Sequence, residues 1–202
     1  MNKGQIRAHF KALLNRTDCD DALADTFIDQ AITRIQRTLR VPSMEKTQNY
    51  TITSQVTKVI VPADLIEIIS IYTSEYTMSR VTLREMKQFQ ALGEAGTPKY
   101  FCRQGEDILL YPFPANTTVS MDYYGQFDEL TSDTSENSLT NIASDLVTYT
   151  ALSYAADYFL DERGPLFEQR YSQCMAEVQE QANDAEMSGT VQAMRPTTAY
   201  ED

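Results

Sequence analysis

The sequence predicts an α+β fold: a helical bundle assembled from the two ends of the chain, an antiparallel β domain inserted between them, and an extended C-terminal tail. Three observations carry this. Apolar residues recur at three- and four-residue steps before residue 44 and again over 140–186, which is the period of an amphipathic helix. Between those stretches the period falls to two, as in a half-buried strand. After residue 186 come Gly189, Pro196 and several Ser and Thr with no sustained period, so that stretch cannot bury a core of its own. The expected division is 1–44 for the N-terminal helices, 45–138 for the β insertion, 139–186 for a helical hairpin of the same bundle, and 187–202 for the tail.

Taken in order, Ile6, Phe10, Leu13 and Leu14 mark a first helix over residues 3–15. Asp18, Asp20 and Asp21 then supply a cap and negative charge for the next helix N-terminus. The second helix buries Phe27, Ile28, Ala31, Ile32, Ile35 and Leu39, places Arg34, Arg37 and Arg40 in its last turns, and stops at Pro42. Residues 50–53 and 58–61 are β-rich runs across a short polar turn and are predicted to form a hairpin. Residues 66–72 make a further strand. Thr82-Leu83-Arg84-Glu85 is a capping box opening a short helix with Leu83, Met86 and Phe89 on one side and Gly93 at its end. Three strands follow at 99–103, 108–111 and 118–124, the first two joined across Gln104-Gly105-Glu106. The hairpin at 140–186 carries Ile142, Leu146, Tyr149, Ser153, Ala156 and Leu160 on one helix. Its second helix carries Leu166 or Phe167, then Tyr171, Cys174, Val178, Ala182 and Ala185. Thr140 or Asn141 is the expected N-cap, and Gly164-Pro165 the break between the two helices.

The 202-residue chain has a formal charge of −12 and 42% hydrophobic residues. That is enough apolar content for a packed core, and the charge disfavours a conventional grip on phosphate backbones. Cys19, Cys102 and Cys174 are far apart and odd in number, which suggests reduced packing cysteines made in the cytosol. Met1-Asn2-Lys3 leads into an amphipathic run, so neither a signal peptide nor a membrane span is expected.

No catalytic pattern emerges, and no cofactor or metal is expected. The single histidine, His9, has no nearby Cys or second His. Gly93-Glu94-Ala95-Gly96 matches a G-x-x-G loop of RNA binders but lacks basic surroundings. Asp20-Asp21 and Asp161-Glu162 lack the further oxygen ligands of a calcium loop. A small hydrolase is therefore left without a nucleophile–base pair. The twelve tyrosines point elsewhere: Tyr72, Tyr76, Tyr100, Tyr111, Tyr123 and Tyr124 concentrate in the β insertion. Tyrosine is enriched at interfaces, so Tyr72, Tyr76, Tyr100 and Tyr123 are candidates for a subunit or tail interface.

The order of several short motifs carries a resemblance. Leu39-Arg40-Val41-Pro42 closes a helix, and Val61-Pro62-Ala63-Asp64-Leu65-Ile66-Glu67 follows the first β runs. Gly96-Thr97-Pro98-Lys99-Tyr100 precedes a strand pair ending Leu110-Tyr111-Pro112. Tyr123-Tyr124 leads to Ala151-Leu152-Ser153-Tyr154-Ala155-Ala156 and then Phe167-Glu168-Gln169-Arg170-Tyr171. This layout, over about residues 22–186, resembles the head–tail adaptor (connector) proteins of tailed bacteriophages, including those called tail tubular protein A. The resemblance implies a homo-oligomeric ring, commonly of twelve copies, made in the host cytoplasm and placed at the head–tail junction of the virion. It further implies the portal protein and a tail or nozzle protein as partners, and a lumen that passes DNA without sequence-specific binding. The alternative is a soluble, non-viral protein–protein interaction module, which particle size would distinguish from a ring. Within the tail, Val191, Met194, Pro196 and Tyr200 are apolar anchors and Arg195 the one cation; these five are the expected portal-docking residues.

Overall fold

Helices α1 (Lys3–Leu14) and α2 (Asp21–Thr38) open the chain, in a computed structural model whose description covers residues 1–187. Asn2 and Gln5 form a capping box on α1, and Asn15 ends it in the left-handed region. Asp20 caps α2 by accepting from the Leu23 N–H at 2.7 Å. Leu39 turns extended after α2, and Pro42–Met44 makes one 3₁₀ turn leading into the strands.

Seven strands follow: β1 (Glu45–Ile52), β2 (Lys58–Ile60), β3 (Leu65–Tyr72), β4 (Ser79–Arg80), β5 (Tyr100–Gln104), β6 (Asp107–Tyr111) and β7 (Thr117–Gly125). Helix α3 (Leu83–Leu92) sits between β4 and β5. They form two sheets, ordered β1-β7-β3 and β2-β6-β5-β4, antiparallel except for the parallel β4–β5 pair. The predicted hairpin of residues 50–53 with 58–61 does not form. β1 pairs along its full length with β7, whereas β2 crosses to the other sheet and pairs with β6. Residues 53–57 lack the Asn-Gly or Asp-Gly signal of a two-residue hairpin turn. Instead the Val56 N–H donates to the Pro114 carbonyl and Thr57 accepts from the Leu110 N–H, so this segment is held against the β6–β7 connection.

The two sheets pack face to face over Ile52, Ile71, Phe101, Ile108, Leu110, Val119 and Met121. Strand β6 is buried on both faces: Leu109 and Tyr111 point the other way, to Met86 and Phe89 of α3. Thr82 and Glu85 form the capping box of α3 and Gly93 closes it at φ 71°. Of its predicted apolar side, Met86 is buried and Leu83 is exposed.

The chain then returns through α4 (Ser138–Ile142), α5 (Ser144–Phe159) and α6 (Gly164–Met187). Two predictions need correction here. The N-cap is Asn137, with Thr140 answering it from inside a capping box, and Ala143 (φ −140°, ψ 57°) separates α4 from α5. The left-handed residue that ends α5 is Leu160, while Gly164 and Pro165 both belong to the first turn of α6. As a result Ile142 and Leu160, the two ends of the predicted stripe, are exposed.

Helix α5 is the central helix of the bundle and packs on α1, α2 and α6. Leu146, Val147, Ala151, Leu152, Ala155 and Ala156 are all buried in one core. A helix enclosed on several sides has no single apolar stripe. Its buried threonines are satisfied locally: Thr148 donates to the Ser144 carbonyl at 2.8 Å and Thr150 to that of Leu146 at 2.6 Å. Helix α6 keeps a narrower stripe of Phe167, Tyr171, Cys174 and Ala182, with Val178 partly buried; the side chain of Ala185 lies outside the described set. The same core takes Ile6, Phe10 and Leu14 from α1 and Phe27, Ile28, Ala31 and Ile35 from α2. Glu168 ties three helices together, accepting from Arg34 of α2 at 3.0 Å and from Ser153 of α5 at 2.7 Å.

Candidate interaction surfaces

The four tyrosines proposed for an interface occupy four different settings. Tyr76 is exposed in the loop after β3, with the Lys99 ammonium 5.6 Å from its ring centroid. Tyr100 stacks on Phe89 of α3 at 5.0 Å. Tyr72 lies at the mouth of a hydroxyl-lined depression of about 580 Å³ bordered by Thr51, Thr53, Thr73, Thr118 and Ser120. Tyr123 is only 5% exposed and packs between the sheets, so its ring is committed within the subunit. The outward face of the β1-β7-β3 sheet is polar by alternation. Asp122 at its centre accepts from Thr47 at 2.7 Å, and Ser120 donates to Asn49 at 2.7 Å.

The inward tyrosine belongs to a cross-strand network. The Tyr123 hydroxyl donates to Asp64 at 3.0 Å, and the Lys46 ammonium donates to the same carboxylate at 2.8 Å. Burial pushes Asp64 up, but the Lys46 and Tyr123 hydrogen bonds together outweigh it and hold the carboxyl below its ordinary range. Burial, then Asp64, pushes Tyr123 up to about 12. A carboxylate depressed in the folded state stabilises the protein above its unfolded value, about 3.9 for Asp, and that contribution disappears as pH falls through the folded value. Asp64→Asn is therefore expected to lower stability at pH 7 by about 1 kcal/mol, a figure reduced for partial solvent exposure. Acid titration of denaturation midpoints checks this, with the two proteins converging below about pH 4.

The remaining polar candidates sit in ordinary structural settings. His9 is exposed on α1. Asp21 pairs with Lys11 at 2.7 Å, and Asp161 with Arg163 at 2.6 Å. Arg163, through its side-chain and then its backbone N–H, holds the Asp161 carboxyl down at about 2. Cys19, Cys102 and Cys174 are buried free thiols, and burial followed by Asp145 pushes Cys174 up to about 11. Gly93 serves as a helix C-cap, so the G-x-x-G match has a local backbone explanation. Among the described residues no group of three or more His, Cys, Asp or Glu could hold a metal ion, and no helix is long and apolar enough to cross a membrane. Nine of the cations, including Lys3, Arg7, Lys46 and Arg163, are paired with carboxylates. Each of these nine has a carboxylate beside it that competes with a phosphate for its charge.

Two surface features escaped the sequence reading. Tyr158, Leu160 and Leu166 are exposed at the turn between α5 and α6. At the other end of the hairpin, Val41, Pro42, Ile142, Val178 and Ala182 line an apolar groove. Helical periodicity placed Leu160 and Ile142 inside, and nothing in the sequence marks the break at Ala143. The tail residues Val191, Met194, Arg195, Pro196 and Tyr200 lie outside the described residues.

No curated protein matches the chain. A family model described as SU10 adaptor protein matches residues 1–196.

Proposed function

The chain belongs to the SU10 adaptor protein family, a family of phage head–tail adaptors, and from that premise we propose that it forms a ring between the portal of the capsid and the tail. The general role is structural: an adaptor of the phage particle, in a family that is not an enzyme class. The finer reading is ours. Copies of the chain, in the number of twelve common among such adaptors, enclose a channel through which DNA passes without being gripped. One observation carries this reading: the family match spans the helical bundle, the β insertion and the start of the tail as one unit. The locked cations and the charge of −12 agree with a lumen that does not retain DNA.

In the same reading, residues 187–202 dock on the portal, with Val191, Met194, Pro196 and Tyr200 as anchors and Arg195 as the cation. The match reaches the first four of these five positions in chain order, Val191 to Pro196. Burial of those anchors across the interface offsets the entropy of ordering the segment. Tyr72, Tyr76 and Tyr100 of the β domain are proposed to meet a neighbouring subunit or the tail.

Truncation after Glu186 tests the docking arrangement. The shortened chain is expected to keep its melting temperature but to lose co-sedimentation with portal-bearing heads, while the full chain binds them. Equal attachment by both would remove the tail from the docking role. Failure of the full chain to attach would count against the adaptor arrangement itself.

A further inference from the structure

Against the paired cations described above, one run is unpaired. Arg80 of β4, Arg84 and Lys87 of α3, and Arg103 of β5 have no carboxylate partner among the described residues. All four are exposed. Arg80 and Arg103 line one depression together with Leu83, the first residue of α3. Arg84 and Lys87 follow on that helix three residues apart, so like charges share a face. Arg84 also lies in the first turn, where the helix dipole disfavours a cation. The inner side of α3 is spent on β5 and β6 through Met86 and Phe89. Its outer face adds Leu83 and Leu92, 41% and 67% exposed, to the cations.

The opposite charge stands, equally unrelieved, on the helical bundle. Glu177, Glu180 and Asp184 recur at steps of three and four along an exposed face of α6. No cation pairs with any of them among the described residues, and the last turn of α6 holds no basic residue. These carboxylates therefore repel one another and approach the negative end of the helix dipole. The pairs Arg84–Lys87 and Glu177–Glu180 share one spacing, a rise of roughly 4.5 Å at 1.5 Å per residue. Two such helices laid side by side bring cation against carboxylate twice. We propose that the outer face of α3 in one copy docks on the Glu177–Asp184 stripe of α6 in a second copy. Charge complementarity selects this occupant. A contact between copies relieves the repulsion on both helices at once, whereas DNA on α3 leaves α6 unrelieved and sets Leu83 and Leu92 against phosphates. The two surfaces are different patches of one chain, so the contact is head-to-tail and closes into a ring when the rotation allows. The proposal rests on the ring-forming adaptor reading and names a contact within that ring.

Charge reversal in the full chain tests it, with self-association followed by sedimentation of the free protein and by electron microscopy on portal-bearing heads. Arg84→Glu with Lys87→Glu, and separately Glu177→Lys with Glu180→Lys, should each weaken self-association by about tenfold or more. All four substitutions in one chain should restore it, because the pairing is then reversed and intact. The altered side chains are exposed, so melting temperatures should stay close to wild type. Arg84→Gln with Lys87→Gln repeats the loss without new repulsion, should the reversed chain fold poorly. Rings that survive both reversals, or a fourfold variant that stays dissociated, would overturn this contact and leave the adaptor reading standing. Loss of duplex DNA retention at low salt, or of attachment to heads, with self-association unchanged would assign α3 to phosphates or to the portal and also overturn it. A wild-type chain that neither forms rings nor attaches to heads would overturn both.

Discussion

Phe10→Ala is expected to lower the unfolding free energy by about 3–5 kcal/mol. Phe10 is fully buried on α1 and its ring centroid lies 6.1 Å from that of Phe27 on α2. Its removal leaves a cavity walled by residues from both ends of the chain, because α1 and α2 share one core with α5 and α6. Those helices are held from several sides, so the site can collapse only partly and the cost should fall in the upper part of the usual range. Urea denaturation checks it: the midpoint should fall with an unchanged slope. A midpoint within error of wild type would mean that α1 is not part of the central core.

Leu146→Ala should cost about 2–5 kcal/mol for the same reason, from the other end of the sequence. Leu146 is fully buried near the start of the helix that contacts α1, α2 and α6. Its carbonyl also accepts from the Thr150 hydroxyl, so the substitution empties packing space around a polar pair that must remain satisfied. The contrast with Leu160 is informative. Both leucines sit on the stripe read from the sequence, yet one is enclosed and the other is almost wholly in solvent.

That contrast shows what local pattern can and cannot settle. The capping box at Thr82, the Gly105 turn between β5 and β6, and the Gly93 stop are short-range chemistry, and they are legible in a few consecutive residues. Strand partners are not. Residues 50–53 and 58–61 look like neighbours because they are close in sequence, but β1 finds its partner more than sixty residues away in β7. Helix α5 misled for a different reason. Surrounded on several sides, it buries residues all round, and a stripe drawn through such a helix runs off both of its ends into Ile142 and Leu160. Tyr123 is a third case: composition marks it as an interface tyrosine, whereas Asp64 and the sheet core claim it. The surface features at the two ends of the hairpin became visible only once those end residues were seen to be exposed.

Electron microscopy of the protein in its native assembly tests the central claim most directly. The account predicts a ring of this chain at the head–tail junction, in contact with the portal on one face and the tail on the other, around an open axial channel. Particles in which the chain is found only as an isolated small module, or at a position away from that junction, would contradict it.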